Sequence, residues 1–305
     1  MSKAGRAAAI DMGTNSVRLL VTDSAGAEIE RLMRVTRLGQ DVDKTGRLAP
    51  EAIERTLDVL REYAGRIDAL GATRLRAVAT SAARDASNRD DFFEPAAKIL
   101  GAEPEVISGA EEARLSFRGA TDGFSGLTGR SLVVDIGGGS TEFVLGETDA
   151  EQLISVDMGC VRMTERFLLH DPPLPGEIAA TIDEVAEMLG EVVRGVDVDT
   201  AHRLIGVAGT VTSLAARAAG LEAHDASVTH GAVLDLADVD SLLGELASVP
   251  VEERRAMLIE PKRADVILGG IIILDVVMEA FAFDTVVVSE HDILDGLAAS
   301  VRASR

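Results

Sequence analysis

Apolar residues recur at two periods along the chain. Ile53, Leu57, Leu60, Ala64 and Ile67 return at helical spacing, and Ile178, Ile182, Val185, Leu189 and Val192 form a second such stripe. Each stripe is followed by a short apolar run, Leu75–Ala79 and Leu204–Val207, that reads as a strand. A long helix is expected over 263–280, then a strand at 285–289 and a closing helix from Asp292. Helices alternating with strands in this order predict an α/β architecture. The longest apolar run, Val266–Leu274, is about half the length of a membrane span.

Two segments depart from the helical period and echo each other. Residues 10–21 read IDMGTNSVRLLV and residues 134–145 read VDIGGGSTEFVL. Both begin apolar-Asp-apolar-Gly, both place Ser five residues after the Asp, and both resume as an apolar strand. Each predicts a strand, a tight polar turn and an antiparallel return strand. Asp11 and Asp135 lie 124 residues apart, a domain-sized interval, so the chain is expected to hold two similar halves. The Gly-rich stretch GATDGFSGLTGR suggests a boundary near residue 125, giving domains 1–125 and 126–305, with the closing helix 291–305 able to pack back on the first.

Composition narrows what such a fold could bind. Aromatics make up 3% and Trp is absent, so core volume must come from Ala, Val, Leu and Ile, and base stacking is a poor binding mode. The formal net charge is −21, but it is unevenly spread. Residues 1–100 carry 16 Lys and Arg against 15 Asp and Glu, and the remainder carry 14 against 36. A polyanion would be tolerated best along the first part, whereas nucleic acid is not an expected partner. Cys160 stands alone, which suits a reducing, cytoplasmic setting. The start MSKAGRAAAI is interrupted by Asp11 before it could serve as a secretory signal, and no membrane attachment is expected.

Two glycine-bearing turns on duplicated domains suggest a phosphate loop on each. Successive backbone N–H groups in a tight turn make a concave anion site, and glycine lets a ligand approach the backbone. Gly13 and Gly137, Gly138 and Gly139 supply the backbone; Thr14, Asn15, Ser16, Ser140 and Thr141 add side-chain donors. The plainer reading is two unrelated polar hairpins, against which the matched copies at domain spacing argue. Neither GxxxxGK[ST] nor GxGxxG occurs. The echo also differs in a useful way: seven residues after the first Asp stands Arg18, and seven after the second stands Glu142. Asp135 with Glu142 could hold Mg²⁺, or Mn²⁺, which favour carboxylates, waters and phosphate oxygens. Alternatively Glu142 is a solvated strand residue paired with Arg18 from the other domain.

Other residues are ambiguous by spacing alone. Glu112 reads as a carboxylate at a helix start, and the adjacent Glu111 would point about 100° away. Arg84 lies in a turn-rich loop and could be a cap or a surface ion pair. Arg34, Arg37, Lys44 and Arg47 could track a longer anion or be scattered surface charges. The five histidines show no ligand spacing, and Met158 and Met163 read as core.

The pair DMGTNSVRLLV and VVDIGGGSTEFVLG resembles the exopolyphosphatase/guanosine pentaphosphate phosphohydrolase family of the actin–hexokinase–Hsp70 superfold. The resemblance extends to ATSAARDASN at 79–88, ISGAEEARLSFRG at 107–119, DMGCVRMTE at 157–165, GVAGTVTSLAA at 206–216, EPKRADVILGG at 260–270 and VVVSEHDILDGL at 286–297. It implies a two-domain actin-like ATPase fold, with duplicated ribonuclease H-like domains and an interdomain cleft, and looks like the short form found in actinobacteria. It also implies roles: Glu112 as catalytic base; Asp135 and Glu142 as ligands of a divalent metal; Asp11, Gly13, Thr14, Asn15, Ser16, Arg18, Arg84, Gly137, Gly138, Gly139, Ser140 and Thr141 as phosphate-binding positions. Gly209 and Thr210 match the loop that handles a nucleotide phosphate in ATP-using relatives. The implied substrate is inorganic polyphosphate, with pppGpp as the alternative, and a homodimer is implied. A kinase on the same fold, or a sensor without catalysis, is the rival class.

Overall fold

The computed structural model describes residues 5–124 and 126–303. The chain divides into two compact units, Met1–Leu115 with Ile293–Arg305, and Ser116–Asp292.

Unit 1 contains strands β1 (Ala7–Met12), β2 (Ser16–Thr22), β3 (Glu28–Val35), β4 (Arg74–Ala79) and β5 (Glu105–Val106). Its helices are α1 (Val42–Thr45), α2 (Pro50–Leu70), α3 (Ser81–Asp85), α4 (Asp90–Leu100) and the first half of α5 (Gly109–Asp122). The sheet order is β3-β2-β1-β4-β5, with β1, β2 and β3 antiparallel and β4 and β5 parallel to β1. β1 is buried along its whole length, as a central strand covered on both faces requires. The first helical stripe forms as expected: α2 starts with Pro50 in its first turn and stops at Gly71, whose φ of 69° is a left-handed C-cap.

Unit 2 opens with the rest of α5. It then runs through β6 (Ser131–Ile136), β7 (Thr141–Gly146), β8 (Ala150–Val156), α6 (Cys160–Phe167), α7 (Pro175–Gly195), β9 (Arg203–Val207) and α8 (Ala208–Ala218). Next come α9 (Ala226–Thr229), β10 (Val233–Asp235), α10 (Leu236–Ala247), α11 (Val251–Met257), α12 (Ile267–Ala280) and β11 (Thr285–Val288). The sheet order is β10-β11-β9-β6-β7-β8. Without β10, it repeats the first sheet strand for strand: an antiparallel three-stranded meander whose first strand pairs in parallel with the strand after the next helices.

The final helix, α13 (Ile293–Ala303), belongs to unit 1. There Ile293, Leu294, Leu297 and Ala298 join Ala9, Leu20, Val78, Ile107 and Leu115 in one buried cluster. Gly296 is obligatory at this point, since a Cβ would come within 2.1 Å of the Leu115 carbonyl oxygen.

Three expectations need correction. The division falls at Leu115–Ser116, inside α5, and not near residue 125 (Ser125 lies outside the described residues). α5 runs through the position because AEEARLSFR, residues 110–118, holds neither Gly nor Pro. The long helix begins at Ile267, not 263, because Pro261 sets a 3₁₀ turn over Pro261–Arg263 before it. β3 and β8 carry no clean alternation, being half-exposed edge strands, and were not expected as elements. Met158 and Met163 are fully buried, and Cys160 is buried, which pushes its thiol up to about 11. No helix among the described residues is long and apolar enough to cross a membrane.

Candidate active site

The two echoing segments form the same turn. Gly13 N–H donates to Ser16 O at 2.9 Å, and Gly137 N–H donates to Ser140 O at 3.0 Å. Each glycine sits against the carbonyl it bonds: a Cβ would lie 3.2 Å from Ser16 O in one and 2.9 Å from Ser140 O in the other. The turns are therefore glycine-dependent for the same steric reason.

Each turn is held down by the segment that follows its third strand. After β3, Thr36 N–H and Arg37 N–H donate to Asn15 O and Gly39 N–H donates to Thr14 O. Gly39 leaves no room for a Cβ, which would stand 2.3 Å from Thr14 Cγ2 and 2.9 Å from Ala82 Cβ. After β8, Cys160 N–H donates to Gly137 O, and Val161 and Arg162 N–H to Gly138 O. Gly159 packs so tightly on Gly138 that a Cβ would fall 2.4 Å from its backbone.

In unit 1 this leaves polar side chains buried without a partner. Thr14 Oγ1, both amide atoms of Asn15 and Ser81 Oγ are shielded from solvent and make no hydrogen bond within the protein. Buried polar groups are costly unless satisfied, so the cluster is suited to an anion or other polar ligand. Ser81 escaped the sequence reading; its signal was the TSAAR segment, read there only for Arg84.

The two aspartates face different partners. In β1–β2, Asp11 is in register with Arg18, whose Nη2 and Nε lie 2.6 and 3.0 Å from Asp11 Oδ2. Arg18 is thus paired within its own hairpin, and Asp11 orients it. In β6–β7 the same register sets Asp135 opposite Glu142. Directly opposed antiparallel residues have Cβ atoms about 5 Å apart on one face of the sheet. Both carboxylates are buried, and each accepts a hydroxyl: Ser116 Oγ donates to Asp135 Oδ2 and Ser155 Oγ donates to Glu142 Oε1 at 2.7 Å. Glu142 is 1% exposed, which corrects the reading of it as a solvated strand residue.

Like charges opposed and buried repel unless a cation lies between them. Among the described residues no three His, Cys, Asp or Glu side chains converge as a metal centre. An ion here would have two carboxylate ligands and take the rest from water and substrate oxygens, as Mg²⁺ does.

Glu112 is buried in the first turns of α5 and accepts a hydrogen bond from Arg84 Nη1 at 2.6 Å. Arg84 also donates to Ile107 O at 3.2 Å, so it is a fixed, half-buried partner of Glu112 and not a surface ion pair. Glu111 points elsewhere, to Arg76 at 2.6 Å.

Thr141 directs its hydroxyl proton into the protein. It is fully buried and its Oγ1 donates to Met158 O at 2.5 Å, a bond that ties β7 to the chain after β8. Gly209 and Thr210 lie in the first turn of α8, directly after Ala208, whose φ of 70° marks a strained turn out of β9. Two arginines were missed. Arg263 lies on Gly209 so closely that a Cβ would stand 1.9 Å from its Cζ, and Arg162 Nε donates to Gly139 O at 2.8 Å. Their motifs, EPKRAD and DMGCVRMTE, were noted, but a lone arginine carries no spacing signal.

Arg34 pairs with Glu62 at 2.8 Å and Lys44 stands 3.9 Å from Asp41, both at the surface. His230 stacks on Phe124 and contacts His291 edge-on, and His170 pairs with Glu177, so these three histidines have structural neighbours.

With this geometry established, the comparisons decide the family. The model of the Ppx/GppA phosphatase family matches residues 20–303. The protein belongs to that family. It is 45% identical to exopolyphosphatase 2 of Mycobacterium tuberculosis, over 97% of this chain and 98% of that one. A guanosine-5'-triphosphate,3'-diphosphate pyrophosphatase of Vibrio vulnificus is 33% identical over 98% of this chain and 60% of its own length. The crystal structure of an exopolyphosphatase-like protein superposes with a TM-score of 0.94 at 42% identity, covering 98% of this chain and 99% of that one. The two-unit α/β fold built around the echoing hairpins is therefore shared with that exopolyphosphatase-like protein.

Proposed function

We propose that this Ppx/GppA protein is an exopolyphosphatase that releases terminal phosphate from inorganic polyphosphate. The observation that carries the reading is the buried Asp135–Glu142 pair beside a glycine turn, repeated in unit 1 with arginine in place of the second carboxylate. That combination suits a phosphate chain accompanied by one divalent cation. Similarity to the mycobacterial exopolyphosphatase supports the choice of substrate.

Asp135 and Glu142 would hold Mg²⁺ or Mn²⁺, which would neutralise phosphoryl oxygens when bound. Gly13–Ser16, Arg18 and Gly137–Ser140 would hold the phosphates, with Gly209, Thr210 and Arg263 contacting phosphates further along. Glu112, oriented by Arg84, accepts a proton from water as the water oxygen bonds to the terminal phosphorus. The bridging P–O bond breaks and its electrons leave with the shortened chain. That leaving group is a stabilised phosphate oxyanion, so the reaction needs positioning and charge stabilisation more than a general acid.

The test is phosphate release from polyphosphates of defined length with Mg²⁺. Stepwise shortening from the ends supports the proposal, and random internal cuts overturn it. A second reading, removal of the terminal phosphate of pppGpp, is favoured by the Vibrio relative. The shortage of aromatic residues to hold a guanine argues for polyphosphate, and the ratio of kcat/KM for the two substrates decides between them. Phosphate transfer to an acceptor would indicate a kinase, and unchanged function in Glu112→Gln a sensor. The chain is proposed to act in the cytoplasm as a homodimer, to be checked by fractionation and light scattering.

A further inference from the structure

At the opposite end of its sheet from the Gly137 and Gly209 turns, unit 2 carries an acidic pocket of about 500 Å³. The turns follow the C-terminal ends of β6 and β9, whereas the pocket opens at the start of β11, which is parallel to β9. Asp284 precedes β11, and Asp235 ends β10 opposite Thr285. A strand's length therefore separates the two places. Asp240 on α10 and Asp275 and Glu279 on α12 complete the acidic lining.

Clustered surface acids alone mean little. Asp275 is different. It is 8% exposed, lies on a helix whose residues 267–278 are otherwise apolar or glycine, and its Oδ1 has no hydrogen-bond partner. No donor satisfies it, so neither a cap nor a structural ion pair accounts for a carboxylate at this position. Removing water from a carboxylate without replacing it by a cation or a donor is unfavourable. Burial first, then Glu279 and Asp240, push its pKa up to about 6. Asp235 is partly occupied, as it caps α10 together with Asp238.

The size and spread of the lining identify the ligand class. The acids do not form a metal centre, and the pocket is much larger than one ion. Leu236 and Ala237 contribute apolar surface between the carboxylates. Several cationic groups joined by a flexible hydrocarbon chain would match this pattern. We propose that the pocket binds a linear aliphatic polyamine of the spermidine class, its ammonium groups pairing with Asp275, Asp240 and Glu279 and its methylenes lying on Leu236 and Ala237.

The test uses the full chain without polyphosphate, which would itself capture the polyamine. Calorimetric titration and thermal unfolding are run with spermidine, with butylamine, and with MgCl₂ at matched ionic strength. At tenfold excess over Kd, spermidine is expected to raise Tm by about 3 °C. Asp275→Asn and the solvent-exposed Asp240→Asn should each weaken binding about tenfold or more. Glu51→Gln, on an exposed site in unit 1, should leave it unchanged. Equal shifts from butylamine or Mg²⁺, or wild-type affinity in both pocket variants, would overturn the proposal by reducing the effect to charge screening.

Discussion

The two hairpins share turn and register, yet the residue set opposite the aspartate has opposite charge in each. In the first, Asp11 faces Arg18 and the charges cancel within the protein. In the second, Asp135 faces Glu142 and they add. The first hairpin pairs opposite charges, and the second sets two carboxylates side by side where a divalent cation would be favoured. At this position of a duplicated scaffold, one copy presents an arginine suited to anions and the other a carboxylate pair suited to a metal.

Glu142→Gln and Asp135→Asn test that contrast most severely. Each should lower kcat/KM by about a thousandfold and abolish Mn²⁺ binding followed by electron paramagnetic resonance, while circular dichroism stays native. Metal binding of wild-type strength in both variants would break the comparison. Glu112→Gln should reduce kcat by about 10²–10⁴-fold with KM little changed, measured as initial phosphate release, because it removes the base and leaves both hairpins intact.

In the first hairpin the expected loss is of stability. Arg18→Ala leaves the buried Asp11 carboxylate facing no arginine and should cost about 2–3 kcal/mol in denaturant unfolding. Asp11→Asn combined with Arg18→Met should recover much of that loss without recovering activity. An uncoupled result in the double variant would show that the two residues do not act as a pair.

Asp275 supplies the smallest effect and a control, a single buried carboxylate with no opposing arginine. Its pKa is raised from 3.8 to about 6 by burial, helped by Glu279 and Asp240, with Asp235 and Asp284 also lining its pocket. Below pH 4 both folded and unfolded chains hold the proton. As pH climbs from 4 through 6 the unfolded chain ionises first, so this group's contribution to stability falls and stays low above about pH 7. Asp275→Asn should therefore exceed wild type by about 2 kcal/mol at pH 7.5 and match it at pH 4, as read by urea unfolding at both pH values.

Much of this was visible in the sequence where local chemistry dictates structure. The stripe from Ile53 to Ile67 and the Asp-x-Gly turns needed no tertiary information to be recognised. β3 and β8 escaped because edge strands bury neither face cleanly, so their residues alternate poorly. The Asp11–Arg18 pairing was hidden for another reason. Spacing showed that the two residues share a hairpin, but register alone put them opposite each other, and a partner from the other domain looked equally good. Thr141 looked like a phosphate donor because the sequence cannot show that Met158 O claims its hydroxyl. The orphaned atoms of Asn15 and Ser81 emerge only once neighbours are placed and found to offer nothing.

Because α13 completes a cluster begun by Ala9 and Leu20, unit 1 cannot finish folding during synthesis until residues 293–298 have left the ribosome. Unit 2, wholly encoded between residues 116 and 292, can close earlier. The first-made half is thus the last to be sealed. A nascent chain stalled before residue 293 would expose an apolar seam along β1, β2 and β4, the kind of surface that chaperones bind.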